Sequence, residues 1–221
     1  MESLISFILL SALIGEVPAL SANGAIRVTV IDQSGHPVSG ATVRFDQRTE
    51  RVLGVVPECV TDAAGVCTRR NLRLDSFTVS AKKKADGYPD TSFDLYRNDR
   101  TPVVTTLTAQ HPDSEVVVTV GPKAAILLLH PLDETSRDHI LSYQVILRDA
   151  KNAKEFVGIG VSQDSLVLVP PNKNVVVEVI ANGYKTWSSS DHTESMKDGV
   201  LYLRSEEKVE LTIFLRRAHH S

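Results

Sequence analysis

Seven histidines, at positions 36, 111, 130, 139, 192, 219 and 220, are the residues of this chain best suited to metal or acid–base chemistry. None stands in H-E-x-x-H order, and no H-x-x-E pair offers the spacing of a carboxypeptidase zinc site. His219 and His220 form a terminal pair able to take up a metal adventitiously, with a frayed tail as the plainer reading. Ser188, Ser189, Ser190, Asp191 and His192 hold the letters of a catalytic triad, yet neighbours in one polar loop rarely converge in space. G-x-S-x-G, P-loop and G-x-G-x-x-G patterns are absent. No catalytic residue, metal ligand or cofactor is assigned, and the chain is expected not to be an enzyme.

Three further groups carry binding or covalent chemistry. Asp86, Asp90, Asp94 and Asp99 share one loop; spaced carboxylates can hold calcium, but the spacing is not that of an EF-hand, and a hydrated loop is the competing reading. Trp187, the single tryptophan, lies near Tyr184, and together they are a candidate platform for a sugar ring. The competing reading packs Tyr184 at a sandwich edge and sets Trp187 over the core. An aromatic content of 5% is low for a dedicated glycan binder. The only two cysteines, Cys59 and Cys67, flank Thr61-Asp62-Ala63-Ala64-Gly65, a sequence suited to a tight reversal between strands. A structural disulfide between them is expected, with two reduced cysteines acting as small apolar residues as the alternative.

The elements that must position these groups are strands. Ile26, Val28 and Val30 alternate with Arg27 and Thr29; Ala41, Val43 and Phe45 with Thr42 and Arg44; Phe77, Val79 and Ala81 with Thr78 and Ser80. Val209, Leu211, Ile213 and Leu215 do the same with Glu210 and Thr212. Such a period of two turns one face to a core and the other to solvent. Turn clusters separate the runs, at residues 32–37, at Pro170-Pro171-Asn172 and at Asn182-Gly183. The pattern occurs twice, about one hundred residues apart: Ile26 and Val28 answer Ile126 and Leu128, Phe77 and Val79 answer Val177 and Val179, and Gly87-Tyr88 answers Gly183-Tyr184. The expected fold is all-β, two tandem sandwiches with a boundary near Gly121-Pro122.

The 221 residues, 42% hydrophobic and 23% charged, suit two modest globular units. A net charge of −3 supplies no electrostatic footprint for nucleic acid, and Lys82-Lys83-Lys84, the one basic block, reads as a solvated loop. Leu4 to Gly15 form an apolar run of signal-peptide length, too short to span a bilayer, followed by the small residues Ala19, Ser21 and Ala22. The usual positive start is missing: position 2 is Glu and no Lys or Arg precedes Arg27, so either the export signal is atypical or the start lies upstream. Residues 1–22 are predicted to be a signal peptide, 23–120 and 121–218 the two sandwiches, with no integral membrane span in the mature chain.

The opening IRVTVIDQSGHPVSGATVRF resembles the start of a carboxypeptidase regulatory-like domain, with Asp32, Gly35, Pro37, Val38, Gly40, Ala41 and Val43 on the family's D-x-x-G-x-P-V-x-G-A-x-V turn. The later TDAAG is similar to its hairpin, and Phe77 to Tyr88 to its strand ending in a Gly-Tyr turn. The second half keeps the paired prolines, the Gly-Tyr turn and the final strand, in an arrangement that resembles two-domain exported bacterial proteins. The resemblance implies Greek-key sandwiches of transthyretin-like, seven-stranded type, also grouped with Ig-like and carbohydrate-binding-like folds. It also implies an accessory rather than a catalytic role. The expected function is that of a secreted or periplasmic binding or structural module at the cell envelope, its partner an envelope protein or a glycan. The alternatives are carbohydrate binding at Tyr184 and Trp187, and a hydrolase with an unrecognised site.

Overall fold

Alternation along the first strand, β1 (Asn23–Ile31), sends Ile26, Val28 and Val30 fully into a core while Arg27 faces water. The computed structural model describes residues 23–48, 56–97, 100–162, 166–191 and 197–218. The predicted leader, Asp99, His192, His219 and His220 lie outside the described residues.

Among the described residues seven strands make the first half: β1, β2 (Thr42–Gln47), β3 (Glu58–Val60), β4 (Val66–Arg73), β5 (Ser76–Lys82), β6 (Val103–Thr106) and β7 (Asp113–Thr119). They form two sheets, ordered β4-β1-β7 and β3-β2-β5-β6, packed over a core that includes Phe45, Phe77, Val43 and Val28. The second half repeats the plan with β8 (Ala125–Asp133), β9 (Ser142–Asp149), β10 (Phe156–Ser162), β11 (Val167–Val169), β12 (Asn174–Ile180), β13 (Trp187–Ser188), β14 (Leu201–Tyr202) and β15 (Lys208–Leu215). Its sheets run β11-β8-β15 and β10-β9-β12-β13, with β14 paired to β12. In each half the first strand lies parallel to the last, β1 beside β7 and β8 beside β15, and antiparallel to the fourth. The fold is therefore all-β, built from paired sandwiches of one topology.

The repeat is real but its phase differs from the sequence expectation. In β8 the buried residues are Ala125, Leu127 and Leu129, whereas Ile126 and Leu128 are only partly covered. The counterparts of Ile26 and Val28 are thus Leu127 and Leu129, because a one-residue shift exchanges the two faces of a strand. Asp32 and Asp133 follow in step. Asp32 Oδ1 accepts the N–H groups of Ser34 and His36 at 2.8 and 2.9 Å, and Asp133 Oδ1 those of Thr135 and Ser136 at 2.8 and 2.9 Å.

The disulfide Cys59–Cys67 is formed, with the Cα atoms 6.1 Å apart. Its setting is not a simple hairpin. Cys59 is on β3, which pairs with β2, and Cys67 on β4, which pairs with β1, so the bond stitches the two sheets together along one flank. The turn between them demands glycine at 65: φ is +72°, and a Cβ there would fall 2.7 Å from the Val30 carbonyl oxygen.

Candidate functional site

The most distinctive feature is what fills the matching flank of the second sandwich. After β5 the chain does not turn directly into β6. The Gly87 turn (φ +83°) leads to Tyr88, and Thr91 then anchors the excursion to β5: Ala81 N–H donates to Thr91 Oγ1 at 3.0 Å, and Thr91 N–H to the Ala81 carbonyl at 3.1 Å. A single helical turn, α1 (Asp94–Arg97), follows. It delivers Leu95, 1% exposed, and Tyr96 into the core of the second sandwich beside Leu127, Val157 and Val167. The Tyr96 hydroxyl donates to the Leu168 carbonyl at 2.7 Å, next to β10 and within β11. Burial, helped by the Asp90 carboxylate, pushes the Tyr96 phenol well above its usual range and keeps it a donor.

By pairing, β10 and β11 are the counterparts of β3 and β4. One flank is closed by a covalent bond, and the equivalent flank by a plug borrowed from the other half. The halves are joined again where Ala124 N–H donates to the Gly87 carbonyl at 2.8 Å. The hydrated-loop reading of residues 86–99 is corrected accordingly: among the described residues, the segment is an apolar anchor. Its carboxylates point to separate partners, Asp86 to Lys83, Asp90 to Lys82 and the Ser92 N–H, and Asp94 to Arg97. Among the described residues no three of His, Cys, Asp and Glu gather as a metal site.

Beside the plug runs a groove of about 320 Å³ between the halves. Phe93 (38% exposed), Lys82 and Lys84 form one wall, and Ile159, Gly160 and Leu166 (41% exposed) the other. The Phe93 ring meets Tyr96 edge-on, with centroids 6.3 Å apart. β10 pairs only with β9 among the described strands, so its other edge offers backbone N–H and C=O groups. Gly158 and Gly160 carry no side chain to mask it, and nothing stands within 4 Å of where a Cβ on Gly160 would be.

The structure places Tyr184 and Trp187 against one core but in different roles. Trp187 is 7% exposed and belongs to the second hydrophobic core. A sugar platform needs an open ring face, so this burial favours the core role weighed for it over the stacking role. Tyr184 is partly buried, and its hydroxyl donates to Asp133 Oδ2 at 3.0 Å. Arg217 Nε donates to the same oxygen at 2.7 Å. The Asp133 side chain is only 2% exposed. The N–H of Ser136 and the Arg217 guanidinium, with Thr135 N–H and Tyr184, hold its carboxyl far below the usual carboxylate range. Arg216 and Glu134 make a bidentate pair beside it, at 2.9 and 3.3 Å. This latch ties the segment after β15 to the end of β8. Ser189, from the triad-like run, is buried: its Oγ donates to the Gly199 carbonyl at 2.6 Å and accepts Val177 N–H at 3.1 Å, which makes it a structural pin.

The latch predicts a pH dependence. A carboxylate whose folded pKa is depressed stabilises the fold above its unfolded value, about 4, and loses that contribution as pH falls below it. The urea midpoint of the parent protein is expected to fall between about pH 5 and pH 2. An Asp133→Asn chain should show a smaller fall, the remainder coming from Glu134 and Asp32, whose pKa values are also lowered. Equal slopes for the two proteins would contradict the latch.

No protein-family model matches the chain, and no curated protein matches its sequence. Solved structures do. The Bacillus anthracis TIE protein is 9% identical at a TM-score of 0.36, over 89% of this chain and 34% of that one. GBS52, the minor pilin of Streptococcus agalactiae, is 10% identical at 0.33, over 90% of this chain and 98% of the pilin. A DUF3823 family protein of Parabacteroides merdae is 14% identical at 0.33, over 72% and 91%. This chain spans about a third of the length of the TIE protein. At such identities and scores nothing about binding or assembly passes from these proteins to this one. Among the described residues no helix is long and apolar enough to cross a membrane.

Proposed function

We propose that this chain is an exported, non-enzymatic binding module of the cell envelope that holds an extended segment of a partner protein in the groove beside β10. In this reading residues 1–22 are the signal peptide, residues 23–120 a carboxypeptidase regulatory-like sandwich, and residues 121–218 a second, more divergent sandwich of similar type. The observation that carries it is the pairing of an apolar groove with a glycine-bearing strand edge that is unpaired among the described residues. Strand addition draws affinity from main-chain hydrogen bonds and specificity from pockets for alternate side chains. Phe93 and Leu166 provide such a pocket for an apolar side chain, and Lys84 on the rim favours a neighbouring carboxylate, Lys82 being paired with Asp90. The apolar leader and the disulfide both support an oxidising compartment outside the cytoplasm.

The test is capture from an envelope extract of the producing cells by the parent and by a Phe93→Ser/Leu166→Ser chain. Both positions are more than a third exposed, so the double variant should fold normally. Losing two apolar anchors is expected to lower partner recovery by at least about tenfold. Equal recovery by a folded variant would remove the groove from the function.

A further inference from the structure

A second concavity lies at one loop end of the second sandwich, outside the groove. Three segments build it: the turn after β9, the Pro170-Pro171-Asn172 turn into β12, and β14. Their backbones are tied to one another. Ala150 N–H donates to the Asn174 carbonyl at 2.9 Å, Asn172 N–H to the Leu203 carbonyl at 2.7 Å, and Asn174 registers opposite Tyr202. Within the first turn, Asp149 Oδ1 accepts the N–H groups of Lys151 and Asn152 at 2.7 and 2.9 Å, and Asn152 Nδ2 donates to Glu155 Oε1 at 3.1 Å. The cavity of about 520 Å³ is thus walled by fixed turns, and it falls within the range of about 300–1,000 Å³ usual for small-ligand sites.

Its lining has a particular chemistry. Tyr202 is 55% exposed, a large aromatic surface left in water at the cavity wall. The side-chain amides of Asn172 and Asn174 have no hydrogen-bond partner among the described residues and are free to donate and accept. The charges cancel: Asp149 and Glu155 face Lys151 and Lys173, with Lys173 Nζ 3.9 Å from Glu155 Oε2. A phosphate or other anion would want a surplus of cations, and a metal would want carboxylates free of other partners. An apolar ligand would want a drier wall. A polyhydroxylated ring fits all three features. Its C–H face lies on an aromatic ring, its vicinal hydroxyls pair with amides that donate and accept and with carboxylates that accept, and it carries no net charge.

We infer that this pocket is a binding site for a neutral oligosaccharide, with Tyr202 as the stacking platform and Asn172 and Asn174 as the hydroxyl-binding amides. The site stands apart from the protein-binding groove and does not depend on it.

The experiment titrates the purified full chain with maltotriose, cellotriose, xylotriose and triacetylchitotriose. The readout is the NMR shifts of the Asn172 and Asn174 side-chain amides and of the Tyr202 ring. At least one sugar should shift all three residues together. Tyr202→Ala should weaken that sugar's binding about tenfold, while Tyr202→Phe, which keeps the ring, should stay within about threefold of the parent. The Phe93→Ser/Leu166→Ser chain should bind the sugar as the parent does, which separates this site from the groove. The inference is overturned if none of the four sugars moves these resonances, if binding survives Tyr202→Ala unchanged, or if the Phe and Ala variants lose it equally.

Discussion

A Leu95→Ala chain is expected to lose about 2–5 kcal/mol of stability, the range for truncating a buried leucine. The residue lies in sequence within the first half, yet the cavity opens in the second. Leu95 is 1% exposed and belongs to the second core, with Leu127, Val157 and Val167 among its members, and α1 packs on β10. The loss is large against a typical total of about 5–15 kcal/mol. Its location is the sharper readout. Hydrogen exchange should speed up at β10 and β11, while amides of β3 and β4 keep their protection. Tyr96→Phe, which leaves the ring but strands the Leu168 carbonyl, should cost about 1 kcal/mol with the same spatial pattern. A Leu95→Ala protein within about 0.5 kcal/mol of the parent, or one that loosens chiefly in the first sandwich, would show that the plug does not hold the second.

The plug was half visible in the sequence. The stretch DGYPDTSFDLYRNDR places Tyr88, Phe93, Leu95 and Tyr96 among the aspartates, more apolar surface than a hydrated loop needs to carry. The four aspartates give the segment a polar look, and the hydrogen-bond partner of Tyr96 is 72 residues away, a distance that local pattern does not encode. The strands were legible where polar residues break the apolar run, as at Arg27 and Thr29 in β1. In β8 the run Ala125-Ile126-Leu127-Leu128-Leu129 has no polar residue to mark its phase, and the inward face came out one residue away from the expected one. Asp133 marks the true register, since it ends β8 in the way Asp32 ends β1. Nothing in the spacing of Tyr202, Asn172 and Asn152 announces a shared cavity. Two separate turns and β14 bring them together, and only the strand pairings of β9, β12 and β14 fix how they meet.

Reduction of Cys59–Cys67, or a Cys59→Ala/Cys67→Ala chain, is expected to lower stability by about 2–3 kcal/mol, the loop-entropy contribution of a bridge across so short a segment. The bridge spans the two sheets of the first sandwich, so its loss frees a flank rather than a hairpin tip. β3 is only three residues long and, among the described residues, holds to its sheet through β2 alone, which leaves it the element most dependent on the bond. Faster exchange should therefore appear at β3 and at the facing part of β4, with β10 and β11 unchanged. That is the mirror image of the Leu95→Ala result. The two lesions close equivalent flanks of different cores and share no packing partner, so their effects should add within about 0.5 kcal/mol in a combined variant. A strongly non-additive sum would mean that the two cores report on each other through the 83–102 excursion. An unchanged unfolding midpoint on reduction would mean that Val43 and its neighbours hold β3 without the bond.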